Sequence, residues 1–360
     1  MKKFTIVLLS ILLIHQLSHS QGCVVVRNIS GFGQYNFTNN TFTSSNWQVD
    51  VTGRYFKSFR DFKGKEDMKT LAQNRSINHV YSTDITVSRI LKDGWSINLS
   101  LPVTANSRSS TIEHGGPNTP RYSTHSFGIG DMRLTVYKWL LKTSVRQKGN
   151  VQLGLGVKLP TGDYKYQDYF HWNDSTRVLA YVNPSIQLGD GGTGIITELN
   201  TFYIISKAIS VYGNFYYMMN PREQNGIPVT LGGRTPPRLD SMAGNTVTSV
   251  ADVYSIRAGA SFSFNKFSLS LGIRDEGVPV YDLLGGSQGV RRPGYNLSIE
   301  PGIVYNMKNI SVYSYVPVIV SRGTKQNVPD KYKSGVTDTY IISPGGFANY
   351  LVFAGISFRL

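Results

Sequence analysis

Apolar and polar positions alternate along the last stretch of the chain. Over 347–360 (FANYLVFAGISFRL) the even positions Ala348, Tyr350, Val352, Ala354, Ile356, Phe358 and Leu360 are apolar, while the odd set carries Asn349, Ser357 and Arg359. A repeat of two predicts a strand with two unlike faces. The same repeat recurs upstream. At 47–57, Trp47, Val49, Val51 and Tyr55 alternate with Gln48, Asp50, Thr52 and Arg54; at 95–104, Trp95, Ile97, Leu99, Leu101 and Val103 alternate with Ser96, Asn98, Ser100, Pro102 and Thr104. Further strands are expected at 76–91, 126–139, 151–159, 194–206, 209–219, 249–264, 267–280, 295–306 and 310–322, which with 347–360 makes twelve.

Short turns and long polar loops separate them in strict alternation. The turns are 92–94 (Lys-Asp-Gly, where Asp-Gly accepts positive φ cheaply), 143–150, 207–208, 265–266 and 307–309. The loops are 58–75, 105–125, 160–193, 220–248, 281–294 and 323–346. The strands are longer than the ~5–6 residues usual in soluble sheets and suit the ~9–11 that cross a bilayer at a tilt. An apolar face that no helix covers needs another apolar medium, and only helices or closed sheets satisfy the backbone in lipid. The expected fold is all-β: a transmembrane, antiparallel, up-and-down β-barrel of about 12 strands over 47–360, with an even strand count and both ends on the short-turn side. The last strand also resembles the closing strand of bacterial outer-membrane barrels, although the chain ends in Leu360 where Phe is commoner in those proteins.

Composition agrees with this architecture. Tyr occurs 22 times and Phe 17 times, charged residues make up only 16%, and after the N-terminus no apolar run reaches the ~20 residues of a membrane helix. Aromatics expected to form interfacial girdles sit near strand ends: Trp47, Tyr55, Trp95, Tyr137, Trp139, Tyr203, Tyr217, Phe262, Phe264, Phe267, Tyr295 and Tyr305.

Residues 1–20 have the Lys2-Lys3 start, an apolar stretch from residue 4 to residue 14, and Ser18-x-Ser20, the pattern of a secretory signal peptide. Residues 21–46 read as a periplasmic leader too short for a folded plug. Cys23 is the single cysteine, so no internal disulfide can form, and the residues before it fit a lipidation signal poorly. The net charge of +15 matches contact with anionic head groups or a cationic bias in a pore; no basic helix or RNA-binding motif accompanies it, so nucleic acid is not an expected partner.

Alternation assigns an interior. Asp50, Arg54, Asp84, Asn98, Asp131, Arg133, Lys158, Glu198, Asn200, Arg257, Arg274, Glu300 and Asn349 are expected to face the lumen. Such mixed charges either line a wet selective pathway or pair with one another and stiffen a filled lumen. No enzyme is expected: His79, His114, His125 and His171 sit in no nucleophile-elbow or zincin motif, and no catalytic, metal or cofactor constellation is expected.

The stretches GIGDMRLTVYKWLL (128–141) and GNVQLGLGVKLPTGDY (149–164) resemble an outer-membrane transporter family named after the phenol meta-cleavage degradation pathway, whose members pair a GxGD-type strand with a later GLGxKLPTGD strand end. The pattern residues are Gly128, Gly130, Asp131, Gly154, Gly156, Lys158, Pro160, Thr161, Gly162 and Asp163, supported by 183–191 and 316–331. The resemblance implies an outer-membrane channel or transporter for passive or facilitated passage of small molecules, hydrophobic or aromatic compounds among them. Arg133, Lys158, Arg257 and Arg274 would favour anionic or polar solutes in an open pore. The alternative is a non-conducting structural or surface-interaction barrel acting through loops 160–193 and 220–248. Expected partners are outer-membrane lipid, the barrel assembly machinery through the C-terminal strand, and a small solute.

Overall fold

The twelve alternating segments pair edge to edge in chain order, and the last returns to the first. The computed structural model describes residues 35–36, 41–42, 47–69, 75–116, 119–141, 148–229 and 235–360. The signal segment 1–20, Cys23 and most of the leader 21–46 lie outside the described residues. The barrel strands are β1 (Trp47–Lys63), β2 (Ile77–Ile90), β3 (Trp95–Ser110), β4 (Tyr122–Ile129 and Met132–Trp139), β5 (Gly149–Leu159), β6 (Gly194–Ile204), β7 (Ile209–Met219), β8 (Val253–Phe264), β9 (Phe267–Val278), β10 (Gly294–Asn306), β11 (Ile310–Tyr315 and Val318–Thr324) and β12 (Gly345–Arg359). Each pairs antiparallel with its neighbours, and β12 closes on β1 with Ile356 opposite Val51 and Phe353 opposite Arg54. Closure leaves this ring no unpaired edge.

The short turns take the expected chemistry, with Asp93 at φ 58 and Asn265 at φ 49. Strand ends on the loop side differ from expectation. β1 continues to Lys63 and turns back through Glu66–Asp67, β3 reaches Ser110, and β4 begins at Tyr122, where loops were expected from 58 and over 105–125. Beyond the bilayer both faces of a strand meet water, so hydrophobic alternation stops while backbone pairing continues. The outer loops also carry structure: a hairpin of Gln167–His171 with Arg177–Tyr181, a second of Gln224–Pro228 with Val247–Ser249, and helix α1 (Val328–Thr337), capped by Asn327 accepting the Asp330 N–H.

Burial is inverted relative to a soluble protein. Leu155, Leu271 and Ile273 on the outer face are 65%, 61% and 59% exposed, whereas Gln48, Glu198, Arg257 and Arg274 inside are almost fully buried. Of the girdle aromatics, Trp47, Trp95, Tyr203 and the Phe262, Phe264 and Phe267 series stand outside near the short turns, with Arg89 over Trp47 and Lys138 over Trp95, each at 4.8 Å. Tyr137 and Trp139 do not. They share the inward face of β4 with Arg133 and Thr135, and both are buried in the lumen.

Candidate functional site in the lumen

Of the charged residues assigned to the interior by alternation, Arg54, Lys158, Glu198, Arg257, Arg274 and Glu300 are buried and Asp50, Asp84, Asp131 and Arg133 half-buried, and most of them pair. Interior residues at one height form a row across neighbouring strands: Gln152, Asn200, Asn214, Arg257, Arg274 and Ser298 stand opposite one another in turn from β5 to β10. Two guanidiniums side by side in such a row repel unless neutralised. Glu300 accepts from Arg257 through Nε at 3.0 Å and through Nη2, and from Arg274 Nη1 at 3.4 Å. Glu276, which alternation did not single out, accepts from Arg274 Nε and Nη2 at 2.8 and 2.6 Å. All four side chains are at most 1% exposed. Glu198 extends the network, accepting from Tyr137 Oη at 2.7 Å, Asn200 Nδ2 at 3.0 Å and Asn214 Nδ2 at 3.2 Å.

The remaining predicted residues lie around this level. Arg133 meets Asp84 at 3.3 Å, Arg54 Nε donates to Ser82 Oγ at 3.1 Å, and Gln48 donates to both oxygens of Asp50. Asn98 sits half-buried on the inward face of β3. Asn349 is higher, towards the outer mouth, where it accepts from Arg60 and Arg322. Lys158 pairs with Asp190 and stands 4.0 Å from Asp131.

Asp131 explains much of the GxGD and KLPTGD pattern. It occupies the break between the two halves of β4, and its carboxylate accepts the N–H groups of Gly162 at 3.0 Å and Asp190 at 3.1 Å. Thr161 Oγ1 donates to Gly130 O and accepts from the Met132 N–H, both at 2.9 Å. The two ends of loop 160–193 are thereby tied to one carboxylate. A Cβ at position 189 would come within 2.5 Å of Asp131 Oδ1, and one at 154 within 2.5 Å of the Tyr137 ring, so close packing requires glycine at both. Pro160 follows the last residue of β5, and Asp163 accepts the Lys165 N–H at 2.9 Å in the turn.

Loop 160–193, expected to lie outside, therefore folds partly into the barrel mouth. The turn Pro184–Ile186 places Ile186 and Leu188 at 0% and 4% exposure, and Ile186 O accepts from Ser126 Oγ and from Asn106 Nδ2 at 3.3 Å. Between this segment and the charged level lies a cavity of ≈ 250 Å³. Its walls are Phe56, Val80, Leu188, Met218, Val253 and Val278, and its polar edge is Arg54, Asp131, Arg133, Lys158 and Asp190. All of these wall residues except Leu188 belong to two buried apolar groups, one around Phe56, Val80, Ile319, Leu351 and Phe353, the other around Ile196, Tyr216, Met218, Val253 and Val278. Sequence reasoning missed them, because it gave the apolar residues to lipid. The signal was present: near the loop ends of β6 and β12 both alternating sets are apolar, as in Ile195-Ile196 and Leu351-Val352-Phe353. At the short-turn end Trp139 packs edge-on against Phe202 at 5.7 Å beside Ile204.

A crystal structure of an outer-membrane channel from Pseudomonas putida F1 matches with a TM-score of 0.59 over 92% of this chain and 99% of that one, at 9% identity. The fold is that of an outer-membrane β-barrel. No family model matches the chain, and no curated protein matches it. Two further barrels match less well. The translocator domain of the autotransporter NalP from Neisseria meningitidis has a TM-score of 0.43 at 10% identity, and the Ralstonia pickettii toluene transporter TbuX has 0.41 at 9%; each covers 88% of this chain and 90% of the other. Likeness at that level carries no argument about this chain.

Proposed function

We propose that the protein is a channel or facilitating transporter of the bacterial outer membrane for small molecules, with hydrophobic compounds as its cargo. The observation that carries this reading is the apolar cavity inside the barrel, since a barrel serving only as a scaffold has no need of one. Small-molecule sites are concave, with apolar walls and polar groups that fix the ligand's orientation; here the apolar walls stand with charged residues and with Asn106, Gln187, Asn225 and Thr248. Export by the segment 1–20, insertion through the C-terminal strand by the barrel assembly machinery, and residence in outer-membrane lipid belong to the same reading. So does the resemblance of 128–141 and 149–164 to the transporter family named after phenol meta-cleavage. The buried Arg257–Glu300–Arg274–Glu276 group argues against a wide aqueous pore, so cargo passes by displacing side chains rather than by free diffusion through water.

The test is uptake of small apolar solutes into proteoliposomes, alongside single-channel recording in a planar bilayer. Solute entry with small or absent ion steps is the expected result. That same buried group favours a second reading, a closed barrel acting through its outer loops; it gains if neither solute nor ions cross. Charge reversal at Lys158 (Lys158→Glu) is expected to act by breaking the pair with Asp190, and hence on the luminal segment, before it acts on ion selectivity.

A further inference from the structure

On the inward face of β1, arginine and phenylalanine recur upward from the chamber: Arg54 and Phe56 line the cavity, and Arg60 and Phe62 follow on the same face. At ~3.3 Å per residue, Arg60 stands about 20 Å along the strand from Arg54, at the outer mouth. There the guanidiniums of Arg60 and Arg322 both lie against the Phe62 ring, at 5.2 and 5.4 Å. Both also donate to one neutral acceptor, Asn349 Oδ1, at 3.1 Å each. The nearby carboxylate, Asp67, serves Arg60 at 2.6 Å and Arg75 at 3.4 Å. Arg322 is held by the carbonyls of Ala348 and Ile319 and by Asn349, and no described carboxylate pairs with it. Arg75 Nε is buried without a partner among the described residues. Arg60 and Arg75 thus share Asp67, with Asp61 near enough to feel the Arg75 charge, while Arg322 stands beside the aromatic ring without a paired carboxylate among the described residues, above a chamber whose edge carries Arg54, Arg133 and Lys158 together with Asp131 and Asp190.

Deepening the transport reading above, and resting on it, we infer that the mouth formed by Arg60, Arg322, Asn349 and Phe62 binds small apolar carboxylates and hands them to the chamber. A guanidinium fork matches a carboxylate, and the ring and the chamber walls match a hydrocarbon or aryl body. A cavity of ~150 Å³ holds benzene, so the chamber of ≈ 250 Å³ admits one substituted ring or a short chain and excludes a long acyl chain in extended form.

The experiment is calorimetric titration of the refolded full-length mature protein with benzoate, its uncharged isostere benzamide, and acetate, followed by uptake of the first two into proteoliposomes. Benzoate is expected to bind about tenfold tighter than either comparator, and Arg322→Gln to bring benzoate down to the level of benzamide. If Arg322→Gln does not fold, Arg322→Lys keeps the cation but loses the fork, and is expected to lower the preference severalfold. Equal binding of benzoate and benzamide, or a preference unchanged in the Arg322 variants, overturns the site. Acetate binding as tight as benzoate means that charge alone is read, and overturns the apolar-carboxylate assignment. Selective benzoate binding without uptake of either compound keeps the site and overturns the transport reading; uptake of both without selective binding does the reverse.

Discussion

Glu300 is the residue on which the filled level of the lumen turns. It faces two guanidiniums that the β8–β9 register sets side by side, and every group involved is buried. Removing one partner of a buried charge group leaves uncompensated charge and typically costs ~3–5 kcal/mol. Glu300→Gln is expected to lower stability by about that amount, read from the urea midpoint of the detergent-refolded barrel, while Glu66→Gln, at an exposed hairpin position, is expected to stay within about 0.5 kcal/mol of the parent. At the outer loops, burial pushes the Glu113 carboxyl up, but the Arg108 charge, its hydrogen bonds and that from Asn183 outweigh burial and hold the group below the usual range. A depressed carboxyl contributes stability that is fully present above its unfolded value, near 4.5, and is lost as pH falls through the lower folded value. Hydrogen exchange in 111–121, corrected for intrinsic rates, is therefore expected to be flat from about pH 7 to about pH 5 and to accelerate only in stronger acid. Acceleration already between those two values contradicts the assignment.

Loop 160–193 and strand β4 act as one element. Asp131 accepts from both ends of the loop, and Lys158 stands between its carboxylate and that of Asp190. Asp131→Ala deletes both acceptors and is expected to free the 184–190 segment from the mouth. In a Cys23→Ser background, a cysteine at position 188, buried in the parent, is expected to react with a bulky thiol reagent at least about tenfold faster when Asp131 is Ala, since protection follows local opening. A cysteine at position 96, buried far from the loop on the short-turn half of β3, should not change, which separates local release from loss of the barrel.

At the scale of the molecule, two solvents meet across one wall. Leu271 lies midway along β9 on the outer face, 61% exposed. Leu271→Arg is expected to destabilise the barrel by ~2–4 kcal/mol in a bilayer. The penalty should shrink in detergent micelles, where the head group reaches water more easily; an equal penalty in both media would argue against a lipid-facing position.

Strand number, their order and most of the buried charged set, though not Glu276, were legible in the sequence, because a repeat of two is local and each strand carries its own two-faced pattern. Turn chemistry such as Asp93-Gly94 was legible for the same reason. The chamber was not. Its walls come from β1, β2, β7, β8, β9 and the 184–190 segment, brought together only when β12 closes on β1 and the long loop turns inward. An apolar residue reads alike whether it faces lipid or a dry cavity, so hydrophobicity alone could not give Phe56 or Val80 to the lumen. Nor could local pattern distinguish Trp139 at a membrane interface from Trp139 packed on Phe202, since that depends on which face of β4 turns inward. Pairing of the charges, too, belongs to register between strands: Arg257, Arg274, Glu276 and Glu300 are separate polar positions in the chain and one neutralised group only in the closed barrel.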